Sequence, residues 1–283
     1  MVADRIQEEG ESVLHSHQYG SVGGRSAVDV LYRSVVEATK CLDSRGSVVW
    51  AFWEVKGGFQ NVWSPDVLVR MAECTLLQCW NMWLERFMSR REFEVAWYGK
   101  VRGRGAVAKG VPQRSPLSPV LFLVYMALIL EEMERHVPEE VGSVTIRFPS
   151  SVDDLHSWLY DRQGAEDEEG RRQRMSDLVV RVQGVVNDMG VEHELPLAAD
   201  KKEAMVLGCD SRPKTRRGRV AEMVKWLGVI LHDCLDFKEH WLHRIGKARS
   251  LFGVISGVGN SRWGIGLVSW RAAYIGMICA VAS

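Results

Sequence analysis

The stretch AKGVPQRSPLSPVLFLVYM, residues 108–126, sets a loop punctuated by glycine and proline directly before a long apolar run. Ser118 and Pro119 make a good N-cap and first-turn pair. The serine oxygen accepts from an otherwise orphaned N–H, and the proline sits where its missing N–H costs nothing. The pair predicts a helix over 118–137, with Glu131, Glu132, Glu134 and Arg135 on its outer end.

Upstream of that helix, Phe93, Val95 and Trp97 alternate with Glu92, Glu94 and Ala96, the period of a half-buried strand, and YGKVRGRG supplies a turn and a basic loop. Pro65 opens a helical segment, rich in Leu, Met and Trp, that runs towards Met88. Before it SVVWAFW is a continuous apolar run of strand length that ends at Glu54. Earlier still, Val28, Leu31, Val35, Ala38 and Leu42 form one apolar helical stripe, closed by DSRGS. Downstream, Val144, Ile146 and Phe148 alternate as a strand leading into SSVDDLHSW, residues 150–158. Met175, Leu178, Val179, Val182, Val185, Val186 and Met189 then make a helical face, with Gly190 as its expected C-cap. KEAMVLG and VKWLGVIL read as two further strands. Strands interleaved with packed helices, with acids at strand ends, predict an α+β protein with its chemistry along one edge.

At 283 residues and 46% hydrophobic, the chain is long and apolar enough to bury a full core. Lys+Arg and Asp+Glu number 36 each, which excludes a uniformly basic nucleic-acid coat but leaves local strips. One strip holds Arg86, Arg90, Arg91, Lys100, Arg102, Arg104, Lys109 and Arg114; a second runs through Arg212, Lys214, Arg216, Arg217 and Arg219. Six cysteines without paired short spacings point away from a disulfide framework or zinc ribbon and towards a reducing compartment. Cys234, His240 and His243 lack a fourth ligand nearby and read as structural or surface residues. The opening residues are too polar and acidic for a signal peptide, and the apolar last stretch carries Arg271 centrally, so neither secretion nor a membrane span is expected.

Glu54 ends one predicted strand and Asp153 and Asp154 end another. If those strands are neighbours, three carboxylates converge, and like charges so close need hard cations to neutralise them. Two Mg²⁺ ions, roughly 3.5 to 4 Å apart, would suit in-line displacement at phosphorus. On the residues alone, Asp153-Asp154 reads first as a hairpin turn, where Asp is common, and only rarely does such a pair bind metal.

The segment 110–122, GVPQRSPLSPVLF, decides between these. It resembles the nucleotide- and template-positioning motif of the reverse transcriptases of non-LTR, LINE-like retrotransposons, fungal members above all, and matches it everywhere but Arg114. QYGSVGGRSAVDVL resembles the family's upstream fingers segment, FWEVKGGFQNV its first metal-binding strand, SSVDDLHSW its Asp-Asp hairpin, LAADKKEAMVL its Lys-containing triplet and VKWLGVILHDCLDFKEHW its Leu-Gly hairpin. The resemblance implies a right-hand polymerase fold with an antiparallel palm sheet packed on helices: partial fingers at 1–47, palm with inserted fingers elements at 48–232, and a truncated thumb from 233–283.

It also implies roles. Glu54, Asp153 and Asp154 would be the catalytic and metal-binding acids, for Mg²⁺ with Mn²⁺ as a substitute. Phe59, Gln113 and Lys201, with Lys202 as the fallback, would bind the nucleotide, Phe59 by excluding a ribose 2′-OH. Gly110, Pro112, Arg114, Ser115, Arg102 and Arg104 would contact template and primer. The partners would be an RNA template, a DNA primer and dNTPs, with no membrane, in the nucleus or cytoplasm. Trp97, Tyr98 and Trp226 are expected to pack in the core rather than stack on bases.

Three departures from the family pattern imply an RNA-directed DNA polymerase of impaired activity, a degenerate copy. Glu54 stands for the usual Asp, Arg114 for a glycine whose φ an arginine resists, and Ser151 for an aromatic; Gln60 also replaces a common acid. The competing reading is a non-catalytic RNA-binding remnant on the same scaffold. A nucleotide cyclase on a palm-like sheet would leave GVPQRSPLSPVLF without a role.

Overall fold

Ser26 opens the first helix with a capping box: its hydroxyl accepts from the Asp29 N–H at 3.3 Å while the Asp29 carboxylate accepts from the Ser26 N–H at 2.7 Å. The computed structural model describes residues 13–73, 78–112, 114–162, 168–198, 203–207, 221–258 and 271. Helix α1 (Ala27–Asp43) buries Val30, Ser34, Ala38 and Cys41. The expected stripe is therefore rotated, and Val28 is 70% exposed; the small Ser34 and Ala38 let this face approach the sheet closely. Gly46 then returns the chain where a Cβ would lie 2.3 Å from the Asp161 carbonyl oxygen.

Strand β1 (Ser47–Glu54) has both faces covered, with every residue from Val48 to Trp53 buried, which explains a continuous rather than alternating apolar run. A short turn, α2 (Gly58–Asn61), follows it. The helix expected up to Met88 is two, α3 (Ser64–Glu73) and α4 (Gln78–Met88). Strands β2 (Arg91–Trp97) and β3 (Lys100–Val107) form a separate two-stranded antiparallel ribbon. This corrects the half-buried strand: Phe93, Val95, Trp97 and Tyr98 are 48, 50, 64 and 89% exposed, because among the described residues no sheet or helix covers the face that alternation made apolar.

Helix α5 (Ser118–His136) is the hub of the core, buried continuously from Val120 to Ala127. Leu117, not Ser118, is its N-cap; Ser118 is the first helical residue and its hydroxyl donates to the Pro112 carbonyl instead. Strands β4 (Glu140–Val141), β5 (Val144–Arg147), β6 (Ser150–Ser151) and β7 (Asp154–Asp161) follow, then α6 (Glu168–Glu192) and β8 (Glu203–Leu207). Met175, Leu178, Val182, Val186 and Met189 of α6 are buried, and the helix runs past Gly190, which is not its cap. The sheet order is β4-β5-β7-β1-β8, all antiparallel, with β6 pairing β7. At the far end of β7, Asp161 is fully buried, bonded to the Ser143 hydroxyl at 2.7 Å and the Arg174 guanidinium at 2.9 Å.

The chain divides into two compact units, Met1–Val220 and Ala221–Ser283. In the second, VKWLGVIL is not one strand but the Leu-Gly hairpin that the resemblance implied, made of β9 (Met223–Trp226) and β10 (Val229–His232). Leu227 and Gly228 have φ of 47° and 83°, the two left-handed residues that a tight hairpin turn of this hand requires. Trp226 is buried, as expected, and α7 (Lys238–Val258) follows. Cys234 is disulfide-bonded, against the expectation of unpaired thiols, and the His240 Nδ1 accepts from the Ile230 N–H at 3.2 Å, so neither is an open metal ligand. Cys41 is a free buried thiol whose pKa burial pushes up to about 11. Among the described residues, no helix is long and apolar enough to cross a membrane.

Candidate active site

The two strands that end in acids are neighbours. β1 and β7 pair in a register that sets Glu54 directly opposite Asp154, and the next N–H along, that of Val55, donates to the Asp153 carbonyl at 3.0 Å. Glu54, Asp153 and Asp154 therefore sit side by side at one end of the central strand pair, all half-buried. Both readings of the Asp pair hold at once. Ser151 pairs with Asp154 across a two-residue turn of Val152 and Asp153, so Asp153 is in a hairpin turn and also beside Glu54.

That turn is strained. Val152 has φ of 59°, a left-handed conformation that a β-branched residue resists. It is held by a segment the sequence reading had not singled out residue by residue. Ser150 accepts from the Tyr19 N–H at 3.0 Å and donates to the His17 carbonyl at 2.9 Å, a parallel bridge alongside the hairpin. Gln18, fully buried, donates from Nε2 to the Leu123 carbonyl on α5 and accepts at Oε1 from the His15 N–H, both at 2.8 Å. Arg25 donates to the carbonyls of His15, Ser16 and Gln18. A buried polar glutamine offers no periodic signal, and HSHQYG lies in a largely polar stretch that does not mark it for burial.

His15, His17 and Glu134 close the same segment onto α5. His15 Nε2 and His17 Nδ1 each lie 3.2 Å from a Glu134 oxygen. Two imidazoles and a carboxylate are also a zinc donor set, but the His17 N–H donates to His15 Nδ1 at 3.2 Å. In the neutral ring this leaves the proton on Nε2, which donates to Glu134 rather than offering a lone pair. Burial pushes the Glu134 carboxyl up, but the hydrogen bonds and charge of the two histidines outweigh it and hold its pKa at about 2.

The loop of the 108–126 stretch is fastened to the turn that follows β1. The Gly110 N–H donates to the Val62 carbonyl and the Val111 N–H to the Phe59 carbonyl, each at 2.8 Å. Gly110 has φ of 87°, and a Cβ there would sit 2.6 Å from the Gln60 carbonyl oxygen, so this approach needs glycine. Phe59 is half-buried and stacks on Phe122 of α5, ring centroids 4.8 Å apart. The Pro112 carbonyl also accepts from the Ser115 N–H at 3.3 Å, and the Ser115 hydroxyl accepts from the Leu117 N–H at 3.3 Å. Arg114 is exposed at φ of 67°, the left-handed conformation that favours glycine. Arg102 and Arg104 are exposed on β3, and Arg104 is paired with Glu94 at 2.8 Å. Gln113, Lys201 and Lys202, like the second basic strip, lie outside the described residues.

Residues 1–231 match the family described as reverse transcriptase (RNA-dependent DNA polymerase). The chain belongs to the reverse transcriptase family. Its relatives include the probable RNA-directed DNA polymerase from transposon X-element of Drosophila melanogaster, 28% identical over 127 residues, 44% of this chain and 14% of that protein. The RNA-directed DNA polymerase from mobile element jockey of the same organism is 27% identical over 138 residues, 48% of this chain and 14% of that one. The Pol polyprotein from the type-1 retrotransposable element R1 of Bradysia coprophila is 22% identical over 275 residues, 94% and 25% of the two chains. These are fly elements, and the reverse transcriptase they resemble here is of the non-LTR retrotransposon kind. The chain thus corresponds to a quarter or less of these relatives. Telomerase from Candida tropicalis shares the fold: the apo structure has a TM-score of 0.58 at 9% identity, covering 99% of this chain and 47% of that one. The same telomerase in complex with a TWJ fragment of telomeric RNA also gives 0.58 at 9% identity, covering 94% and 42%. The fold is the α+β right-hand polymerase fold, and reverse transcriptases use divalent metal ions and an RNA template.

Proposed function

We propose that this reverse transcriptase domain copies RNA into DNA at Glu54, Asp153 and Asp154, with residues 1–47 as partial fingers, 48–232 as palm and 233–283 as the start of a thumb. The observation that carries the site is the β1/β7 register, which sets Glu54 against Asp154, with the Asp153 carbonyl accepting from Val55, the residue after β1. Three carboxylates at adjacent backbone positions fit hard cations, and they would hold Mg²⁺, or Mn²⁺ in its place. Bound there, the metal would supply charge neutralisation at the reacting phosphate and activation of the primer 3′-OH.

The chain's own residues do the rest. Phe59, stacked on Phe122, would exclude a ribose 2′-OH, favouring dNTPs. Gly110 to Ser115, fastened to the turn after β1, would align the template base and primer, with Gln113 and Lys201 on the nucleotide and Arg102 on the strand backbone. Arg114 adopts a glycine conformation with a long cationic side chain, and Glu54 reaches one methylene further than the family's aspartate. A displacement of about 1 Å is enough to lower the rate on the order of a hundredfold, which supports impaired activity.

Primer extension on poly(rA) with oligo(dT), dTTP and Mg²⁺ or Mn²⁺ tests this. Weak extension is expected from the chain, none from Asp153→Ala, and a gain of roughly a hundredfold from Glu54→Asp with Arg114→Gly. Extension that persists in Asp153→Ala overturns the site. Silence from every folded variant, with RNA binding intact, points to the non-catalytic remnant instead.

A further inference from the structure

An isolated two-stranded hairpin is marginal in water and ordinarily needs a third layer on its apolar face. The β2–β3 ribbon has none among the described residues, yet it presents Phe93, Val95 and Trp97 in a row on one face. Across from the first two lie Gly105 and Gly103, and across from Trp97 lies Lys100. The glycines carry no side chain to bury that row, so the face is a shelf of exposed apolar groups. Tyr98 and Gly99, with φ of 49° and 72°, make the tight turn at the tip and leave the Tyr98 ring 89% exposed.

The surroundings identify the occupant. Residues 90–107 carry Arg90, Arg91, Lys100, Arg102 and Arg104 against Glu92 and Glu94, an excess of cations. Arg102 is the extra residue of a β-bulge, where the register passes from Val95 opposite Gly103 to Ala96 opposite Val101, and it makes no ion pair among the described residues. At its base the ribbon joins the site: the Arg91 guanidinium donates to the carbonyls of Lys109 and Gly110, in the loop that would align the template. Aromatic rings beside cations that make no ion pair among the described residues, continuous with the loop that would position the template, suit a polyanion with flat bases rather than an apolar protein face.

We propose that the β2–β3 ribbon is a stacking platform for single-stranded nucleic acid, with Trp97 and Tyr98 stacking on bases and Lys100 and Arg102 following the phosphates. The inference deepens the proposed polymerase function, but its test stands apart from it. Fluorescence anisotropy of a labelled oligo(rU) of about twenty nucleotides, in EDTA and low salt, reads binding without any polymerisation. Trp97→Ala with Tyr98→Ala is expected to weaken binding roughly tenfold or more, while Trp97→Phe with Tyr98→Phe retains most of it. Arg102→Gln is expected to lower the salt-dependence slope by about one. In EDTA no cation is held at the three acids and nothing is polymerised, so a failed polymerase reading and a failed platform are told apart. Affinity untouched by the alanine pair overturns the proposal, as does a loss not retained by the phenylalanine pair. An alanine pair that instead shifts sedimentation from dimer to monomer also overturns it, in favour of a second copy on this face.

Discussion

Among the hairpins with two-residue turns in the described residues, β6–β7 and β2–β3 have opposite surroundings. The β6–β7 turn sits in a six-stranded sheet with helices over it, and its strand β7 is buried from Leu155 to Asp161. The β2–β3 turn stands on a ribbon where every residue from Glu92 to Arg102 is exposed. Both carry residues in the left-handed region, Val152 in one and Tyr98 in the other. The first is a strained residue held by surrounding structure, as positioning sites require; the second is a turn with little around it. Local backbone geometry is shared, and packing separates the rigid site from the free surface.

The largest expected difference is between two tryptophans. Trp158, fully buried opposite Trp50, should cost about 3–5 kcal/mol when changed to Ala, and Trp97→Ala within about 0.5, measured by urea unfolding. An equal cost would mean the ribbon is packed in solution. Charge pairs should repeat the contrast. Asp161→Ala removes the buried carboxylate that faces the Arg174 guanidinium and should cost about 3 kcal/mol, whereas Arg104→Ala, losing the exposed pair with Glu94, should cost less than about 0.5.

The β7 hairpin should also be the pH-sensitive one. Burial pushes the pKa of His156 on β7 down to about 3, so its native state stays neutral while the unfolded chain takes a proton below the ordinary value near 6.5. Stability is then fully present above that value and is lost as pH falls towards about 3, by about 1 kcal/mol per pH unit. His156→Leu should flatten that slope, which pH-dependent urea midpoints would reveal. The smallest effect is on the turns themselves. Val152→Gly should stabilise by about 1 kcal/mol through relief of strain. Tyr98→Asn should change stability by only a few tenths, since Asn tolerates this conformation and little packs on Tyr98.

Much of this was legible in the residues. The continuous run from Val48 to Trp53 ending at Glu54, the long apolar run from Ser118 and the Asp pair after an alternating strand carry the palm sheet and its acids directly, because period and length report burial. The resemblance of GVPQRSPLSPVLF then supplied the family. What failed was everything that depends on which partner covers a face. Phe93, Val95 and Trp97 alternate as a half-buried strand does, but alternation reports an apolar face, not a neighbour. Helix α1 turned by a fraction of a turn because Ser34 and Ala38, not the larger Val28 and Leu31, allow close approach. Gln18, His15 and His17 were silent because buried polar residues serve single hydrogen bonds and have no period.

The bridge from Gln18 to Ser150 has a consequence in time. Residues that meet beside the site are far apart along the chain, so closing this contact costs more loop entropy than closing a local one. At ordinary elongation rates, Gln18 is synthesised on the order of ten seconds before Ser150. Throughout that interval the early segment has no hairpin to dock on. Glu54, Asp153 and Asp154 can come together only after the ribosome has passed the β6–β7 turn.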